Sequence, residues 1–230
     1  MTIVFIISAP SGSGKSTLVN EARRIVEGLE FSISYTTRPP RGSEQNGREY
    51  FFISRSEFEQ MVRNNEFLEH AEVFGNYYGT ASRFLQDAEQ TGKDLLLDID
   101  VQGAAQIKSK LPAAVTIFIL PPNREELERR LRSRSVDTEQ VILRRLVTAT
   151  REIENYQKYD YILVNDRLED SIDMLKSILL AERLRRSGNS GNVGDADMLA
   201  RAENCRLQNL RERLQPILNS FLPAAAPGSR

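Results

Sequence analysis

The sequence contains one cysteine, one histidine and no long run of apolar residues. Cys205 has no second cysteine with which to form an internal disulfide, and a lone His70 excludes a zinc site built from several histidines. The apolar run at residues 3–7 is far too short to span a membrane, and it lacks the basic flank of an export signal. These absences predict a reduced, cytoplasmic protein without a targeting segment.

An excess of charge of either sign is also lacking. Lys and Arg number 31 and Asp and Glu number 32, which gives a formal net charge of −1. This balance gives no electrostatic indication of a nucleic-acid or membrane-surface partner. With 230 residues, of which 40% are hydrophobic, the chain is long enough for one substantial core with small insertions.

Short apolar runs alternate with longer stretches of helical periodicity. The predicted strands are residues 3–8, 31–35, 94–99, 115–120 and 161–164. The predicted helices are residues 15–27, 55–64, 81–90, 102–110, 124–132, 138–156 and 168–185. Continuous apolar strands separated by helices predict an α/β fold, a three-layer sandwich with a mostly parallel sheet and its ligand at the carboxyl ends of the strands.

Three segments interrupt this alternation. Residues 34–80 are polar with short extended pieces, which predicts a small mixed insert, and residues 123–151 are helical and rich in arginine. Residues 187–195 have the composition of a linker. Beyond them, apolar residues recur at helical spacing and predict an amphipathic helix that docks on the body or on a second copy of the chain: Leu207, Leu210, Leu214, Ile217 and Phe221.

Residues 8–17 read Ser-Ala-Pro-Ser-Gly-Ser-Gly-Lys-Ser-Thr, directly after the first predicted strand. A strand, a glycine-rich turn, Gly-Lys-Ser and a helix in this order are typical of a triphosphate-binding loop. Backbone N–H groups surround the anion, Lys15 reaches the outer phosphates and Ser16 can ligate magnesium. Ala9 stands where the strict pattern has glycine, so the turn there must suit an L-residue. An ordinary loop without a ligand is the alternative interpretation.

A second segment places two arginines on stiff backbone. Arg38 and Arg41 flank two prolines, which restrict the local conformation. Guanidinium groups held in this way suit bidentate contact with a phosphate, and Tyr50 adds a neutral donor. A solvated basic turn is the alternative.

Carboxylates form a third group of candidates. Glu69 lies among apolar residues and tyrosines, and it is either a surface helix residue or an acceptor for two N–H donors of a purine edge. Asp98 and Asp100 end an apolar strand on one face, where they could bind a hard cation directly or through water. Solubilising charge at the end of a strand is the alternative.

Arginines are concentrated further along the chain. Such side chains stabilise the charge of a phosphoryl group in transfer when they close over it. We expect two or three of them to face a ligand and the rest to be solvated: Arg129, Arg130, Arg132, Arg134, Arg144, Arg145 and Arg151.

Together these segments resemble the guanylate kinase family, which transfers the terminal phosphate of ATP to GMP. The likeness covers residues 3–185 and includes, in order, Thr-Thr-Arg-Pro-Pro-Arg, Phe-Leu-Glu-His-Ala, Gly-Asn-Tyr-Tyr-Gly-Thr, Leu-Asp-Ile-Asp and Val-Asn-Asp. The resemblance implies one domain over residues 1–186, with a core (1–33, 81–122 and 152–186), a GMP-binding insert (34–80) and a lid (123–151). A linker (187–196) and a C-terminal tail (197–230) follow, and the tail leaves room for a homo-oligomer.

The resemblance also implies roles for individual residues. The catalytic group would be Lys15, Arg134 and Arg145. ATP would contact Ala9, Pro10, Ser11, Gly12, Ser13, Gly14, Lys15, Ser16, Thr17, Arg130 and Asn165. The GMP phosphate would be held by Arg38, Arg41, Tyr50 and Tyr78. Guanine N–H groups would donate to Glu69 and Asp100, and its O6 would accept from Ser34 and Thr80. Mg²⁺ would be bound by Ser16 and, directly or through water, by Asp98. Ser133 and Ser135 replace two family glycines, which is expected to stiffen the turn presenting Arg134.

Three other functions fit the sequence less well. Non-catalytic relatives that bind phosphopeptides typically lack the loop lysine, whereas Lys15 is present here. A kinase for a phosphorylated sugar would not need Glu69, Tyr78 and Thr80 as a base pocket. A GTPase switch is disfavoured because the sequence has no Asn-Lys-x-Asp motif.

Overall fold

The structure is a computed structural model that describes residues 2–73, 75–134, 138–188 and 195–222. In chain order the strands are β1 Val4–Ser8, β2 Leu29–Ser32, β3 Tyr35–Thr36, β4 Phe51–Phe52, β5 Phe67–Val73, β6 Asn76–Ala81, β7 Asp94–Asp98, β8 Val115–Leu120 and β9 Tyr161–Val164. The helices are α1 Lys15–Ile25, α2 Arg55–Arg63, α3 Arg83–Thr91, α4 Val101–Lys110, α5 Arg124–Arg134, α6 Glu139–Ile153, α7 Leu168–Ser187, α8 Asp195–Asn204 and α9 Leu207–Ser220.

The chain divides into two compact units. The first unit comprises Met1–Ser8 and Arg23–Thr116, and the second comprises Ala9–Ala22 and Ile117–Arg230. No helix within the described ranges is long and apolar enough to cross a membrane.

The first unit contains three parallel strands in the order β2-β7-β1. Leu29 lies opposite Asp94, and Val4 lies opposite Leu95. All of β1 is buried, as are the first four residues of β7. A strand covered on both faces needs apolar side chains at successive positions, which explains the unbroken runs of isoleucine and leucine.

A second, mixed sheet in the first unit has the order β4-β3-β6-β5. β6 is antiparallel to both β3 and β5, whereas β3 and β4 are parallel. Phe58 of α2 stacks on Phe67 of β5 with 4.5 Å between ring centroids. A Cβ at Gly79 would lie 2.9 Å from the Phe67 ring, so the missing side chain lets the aromatic core close over β6.

In the second unit, β8 and β9 pair in parallel, with Ile117 opposite Tyr161 and Leu120 opposite Val164. α7 packs on β9 and α8, and α9 packs on α5, α8 and β9. The predicted terminal helix is therefore present, and its apolar residues Leu210 and Leu214 are buried in this unit.

The predicted α/β class is confirmed, with its parallel strands and a second mixed sheet. The strands at 115–120 and 161–164 have the predicted bounds, and all seven predicted helices are present. The single strand predicted at 31–35 is wrong: β2 pairs with β7, whereas β3 belongs to the mixed sheet. Between them, the Ser34 carbonyl accepts from the Phe51 N–H, so the chain changes partners there.

Two further differences concern helices. The helix predicted at 138–156 ends at Ile153, and a 3₁₀ helix over Glu154–Lys158 follows it. α8 has no counterpart among the predicted helices. One of the short extended pieces expected within residues 34–80 is β5, which ends at Val73, and Phe74 lies outside the described residues.

Candidate active site

The glycine-rich loop of the second unit has the conformation that its sequence requires. Gly12 and Gly14 have φ values of +93° and +88°, which glycine adopts at little cost. The Ser13 N–H donates to the Pro10 carbonyl at 3.1 Å. Asn65 is the single non-glycine residue with a positive φ in the described ranges, so Ala9 fits the turn without strain. The loop leads into α1, where Lys15 is half-buried and Ser16 is exposed.

Two other parts of the second unit hold this loop. A Cβ at Gly12 would lie 2.8 Å from Leu131 of α5, so helix and loop are in close contact. Asn165, which follows β9 and is buried, donates from Nδ2 to the Ser13 carbonyl at 2.8 Å. Arg130 in turn donates to the Asn165 carbonyl at 2.9 Å. Asn165 therefore contacts the loop itself, and its expected adenine contact stays a prediction.

The arginine-rich segment divides into arginines near the loop and arginines in surface ion pairs. Arg145 donates to the Ser11 hydroxyl at 2.8 Å. Arg129 pairs with Glu126, and Arg132 pairs with Glu128 and Glu139. Hydrogen bonds from Arg129 and Arg130 lower the pKa of the Glu126 carboxyl to about 2. Arg134 is the last residue of α5; its side chain, like residues 135–137, lies outside the described part.

The first unit holds the buried carboxylate. Glu69 is on β5 opposite Thr80 of β6, and it is 4% exposed. The Thr80 hydroxyl donates to Glu69 Oε1 at 2.7 Å. Burial raises the pKa of Glu69 to about 7, against the opposing effect of the Thr80 hydrogen bond and with a further upward contribution from Asp100. The interpretation of Glu69 as a surface helix residue is therefore wrong, because the side chain is on a strand and faces inward.

The neighbours of Glu69 already have hydrogen-bonding partners. Asp100 caps α4: its Oδ1 accepts from the Gly103 N–H at 2.8 Å, and its Oδ2 faces Gln102 Nε2 at 3.4 Å. A hydroxyl has one proton, so Thr80 can donate to a guanine O6 only if it turns away from Glu69. Asp98 ends β7 and is half-buried.

Three of the four expected phosphate-binding residues, Arg38, Tyr50 and Tyr78, lie close together in the first unit. Arg38 is buried, and its guanidinium lies 5.3 Å from the Tyr50 ring centroid. The Tyr50 and Tyr78 ring centroids are 5.9 Å apart. Arg38 forms a bidentate pair with Glu44 at 2.8 and 2.9 Å, and this hydrogen bonding raises the pKa of Arg38.

Two of the expected GMP-binding residues, Arg41 and Ser34, are not part of the described side-chain contacts around Arg38. The guanidinium of Arg41 is exposed, and its backbone N–H donates to Glu44 at 2.7 Å. Ser34 is half-buried, and its carbonyl accepts a hydrogen bond from the Phe51 N–H at 2.9 Å.

Sequence reasoning missed two residues of this region. Glu44 lies six residues after Arg38 in a polar stretch, and that spacing alone gives no sign of a bidentate pair. Gly103 had a usable signal, because an isolated glycine within a helical pattern often marks close packing. A Cβ at Gly103 would lie 2.5 Å from Glu69 Oε2, so this glycine makes room for the carboxylate.

A cavity of about 500 Å³ in the second unit contains none of the predicted site residues. It lies among β9, α7 and the two tail helices, with Val164, Met174 and Cys205 among its lining residues. The predicted site residues therefore lie outside this cavity.

A phosphate-loop sequence with its lysine, together with a separate buried carboxylate, is compatible with a nucleoside monophosphate kinase. The family model described as guanylate kinase matches residues 1–182. The chain is 59% identical to the guanylate kinase of Koribacter versatilis, over 97% of each chain. It is 48% identical to that of Escherichia coli K12, over 80% of this chain and 90% of the relative.

A solved structure agrees with these sequence comparisons. The crystal structure of guanylate kinase from Anaplasma phagocytophilum superposes with a TM-score of 0.65 at 34% identity, covering 93% of this chain and 94% of that one. The chain belongs to the guanylate kinase family.

Proposed function

We propose that this chain transfers the γ-phosphate of ATP to GMP or dGMP, giving ADP and GDP or dGDP. The observation that carries the proposal is the buried Glu69 carboxylate, which is 4% exposed and lies beside Thr80. Guanine presents two adjacent N–H donors where adenine presents an acceptor and a C–H. Adenine would not supply these two donors to the buried carboxylate, and sites of this kind reject the wrong partner by roughly 10⁴–10⁵.

Phosphoryl transfer here needs positioning and charge neutralisation. The phosphate oxygen of GMP is already ionised at neutral pH, so direct in-line attack requires no covalent enzyme intermediate. Arg38 and Arg41 are proposed to hold the acceptor phosphate, with Tyr50 and Tyr78 as neutral donors. Lys15 and the loop N–H groups are proposed to hold the donor phosphates, with Arg145 and Arg134 on the transferring group.

Ser16 suits the magnesium ion that accompanies ATP. Its exposed hydroxyl lies in the first turn of α1, beside the loop that is proposed to hold the phosphates. Oxygen donors are the ligands that Mg²⁺ prefers, and the bound ion would neutralise phosphate charge. The contribution of Asp98, directly or through water, is part of the same proposal.

The proposal also includes a cytoplasmic location, which the single cysteine favours. A homo-oligomer formed through the tail stays a prediction. Leu210, Leu214 and Phe221, on which that expectation was based, are buried within their own chain, so other tail surfaces would have to form the contact.

The test is an acceptor panel with the full-length chain, ATP and Mg²⁺, in which ADP release is measured with GMP, dGMP, AMP and ribose 5-phosphate. We expect turnover with GMP and dGMP, and a kcat/KM for AMP that is lower by a factor of about 10⁴. Lys15→Met is the control, and it should abolish turnover. A preference for ribose 5-phosphate would establish a sugar-phosphate kinase instead. Phosphopeptide binding without any turnover would establish a scaffold.

A further inference from the structure

We propose that the C-terminal tail, through α8, α9 and Arg206 between them, positions the phosphate loop and thereby sets the affinity for ATP. The tail lies beyond the part of the chain that matches the family model. It contacts β9 and α5, and each of these elements also reaches the loop within the second unit. The inference rests on the proposed function only in naming ATP as the ligand of the loop.

The first contact is along the edge of β9. Arg206, between the two tail helices, forms an antiparallel bridge with Tyr161. The Ile162 N–H donates to the Cys205 carbonyl at 2.8 Å, and the Leu207 N–H donates to the Asp160 carbonyl at 3.3 Å. Backbone groups on this side of β9 therefore find partners in the tail, as an edge strand requires. The tail fixes the position of β9 from its outer side.

A cluster of charges reinforces this contact. The Glu182 side chain of α7 is 12% exposed, and it accepts from Arg206 at 3.1 Å and from Arg185 at 2.7 Å. The Tyr161 hydroxyl donates to the same carboxylate, and the Arg206 guanidinium lies 4.8 Å from the Tyr161 ring centroid. Because a nearly buried carboxylate needs its partners, loss of Arg206 would disturb Glu182 and Tyr161 together.

Asn165, at the end of β9, connects this strand to the phosphate loop. Asn165 follows the last residue of the strand and is fixed by a 2.7 Å hydrogen bond from its N–H to the Leu120 carbonyl. Its Nδ2 donates a hydrogen bond to the Ser13 carbonyl at 2.8 Å. A Cβ at Gly14 would lie 2.3 Å from that Nδ2, so the amide fits closely against the loop backbone. A displacement of β9 therefore changes the shape of the loop.

The second contact is with α5. Ser220, the last residue of α9, accepts at Oγ from the N–H of Arg124, the first residue of α5, at 3.0 Å. The N–H groups of a first helical turn need acceptors from outside the helix. The same helix carries Leu127 and Leu131, which lie against Gly12 of the loop. The tail thus also holds the helix that forms one wall of the loop.

The test uses two full-length variants, Arg206→Met and Ser220→Ala. Each should raise the KM for ATP and the dissociation constant for ATP by about three- to twentyfold, while kcat and the KM for GMP stay within twofold. Arg201→Met is the matched control, because this exposed arginine of α8 pairs with Asp197 of its own helix and, at 4.0 Å, with Asp173 of α7, and neither carboxylate is among the groups argued to reach the loop. It should leave every constant unchanged.

Two results would overturn the proposal. One is a lower melting temperature with an unchanged affinity for ATP, since the tail would then be only a structural support. The other is an equal rise in both KM values. Calorimetric titration with ATP alone measures the dissociation constant for ATP and requires no phosphoryl transfer. It therefore distinguishes a failure of this proposal from a failure of the proposed kinase activity. If Arg206→Met does not fold, Ser220→Ala, which removes one oxygen atom, decides the question by the same criteria.

Discussion

Burial changes the acid–base chemistry of Glu69. A glutamate in water is ionised at neutral pH, whereas burial beside Asp100 raises the pKa of Glu69 to about 7. A register shift in β5 between Phe67 and Glu69 places Glu69 opposite Thr80, whereas Phe67 lies opposite Ala81. From the sequence, Glu69 was either a surface helix residue or an acceptor for a purine edge, because no local signal indicates this register shift. The burial follows from the pairing with β6, which the local sequence does not determine.

The affinity for GMP should depend on pH through the Glu69 carboxyl. Below pH 7 the protonated carboxyl faces guanine N–H groups with a donor of its own, so binding weakens. Between pH 6 and pH 8 the ionised fraction of a group with this pKa rises about tenfold, and the KM for GMP should fall by about the same factor. Steady-state kinetics over this range measure the effect. In Glu69→Gln, the KM for GMP should vary with pH only through the titration of the GMP phosphate, so its dependence on pH should be weaker. An equal dependence of KM on pH in both proteins would contradict the role of Glu69 in binding guanine.

In the absence of nucleotide, a rise in pH should lower the stability of the fold, although it strengthens the binding of GMP. The folded-state pKa of Glu69 lies above the usual value of 4.5, so the unfolded chain releases this proton more readily. The contribution to the free energy of unfolding is complete below pH 4.5 and is lost as the pH rises through 7. Glu69→Gln should lack this loss, which urea unfolding at pH 5 and pH 8 can show.

At the scale of elements, the start of α4 and the mixed sheet depend on each other. Asp100 caps the helix through the Gly103 N–H, and Gly103 leaves the space that Glu69 occupies. One turn of helix therefore sets the position of both expected guanine acceptors. Sequence patterns located the helix, but its contact with β5 joins residues more than thirty positions apart.

Gly103→Ala tests this contact. The new methyl would lie 2.5 Å from Glu69 Oε2, so the carboxylate must move. We expect the KM for GMP to rise about tenfold or more, with the KM for ATP unchanged, because a misplaced acceptor loses hydrogen-bond geometry. Alanine also favours the helix by about 1 kcal/mol, so lower stability is not the expected cause. Ala105→Ser, on the exposed face of the same helix, is the control, and a normal KM for GMP in Gly103→Ala would refute the contact.

The same scale explains where the predicted elements fail. β2 and β3 were predicted as one strand because residues 31–35 are compatible with extended backbone throughout. Their separation arises from partners far along the chain, Leu96 and Leu97 for β2 and Tyr78 and Gly79 for β3. The strand propensity of residues 31–35 alone cannot predict which distant strands they pair with. The strands of the parallel sheet were predictable because full burial leaves an apolar run of its own.

At the scale of the whole molecule, the net charge is close to zero, and many of the charged residues form local ion pairs. Acidic residues neutralise many of the arginines of α5, so few of them are left for anionic ligands. The phosphate loop and the order of motifs could be read from the sequence, and they led to the family. The ion pairs, the Glu44 partner of Arg38 and the contacts of the tail could not, because each depends on which surfaces meet after folding.

The most direct test of the central claim is the ratio of kcat/KM for GMP to kcat/KM for AMP, measured for the native chain and for Glu69→Gln. A buried carboxylate that accepts two guanine donors predicts a ratio of roughly 10⁴ or more in the native chain. In Glu69→Gln the ratio should fall by about a hundredfold, because the amide offers adenine both a donor and an acceptor. A ratio that stays the same in the two proteins would show that another group recognises the base.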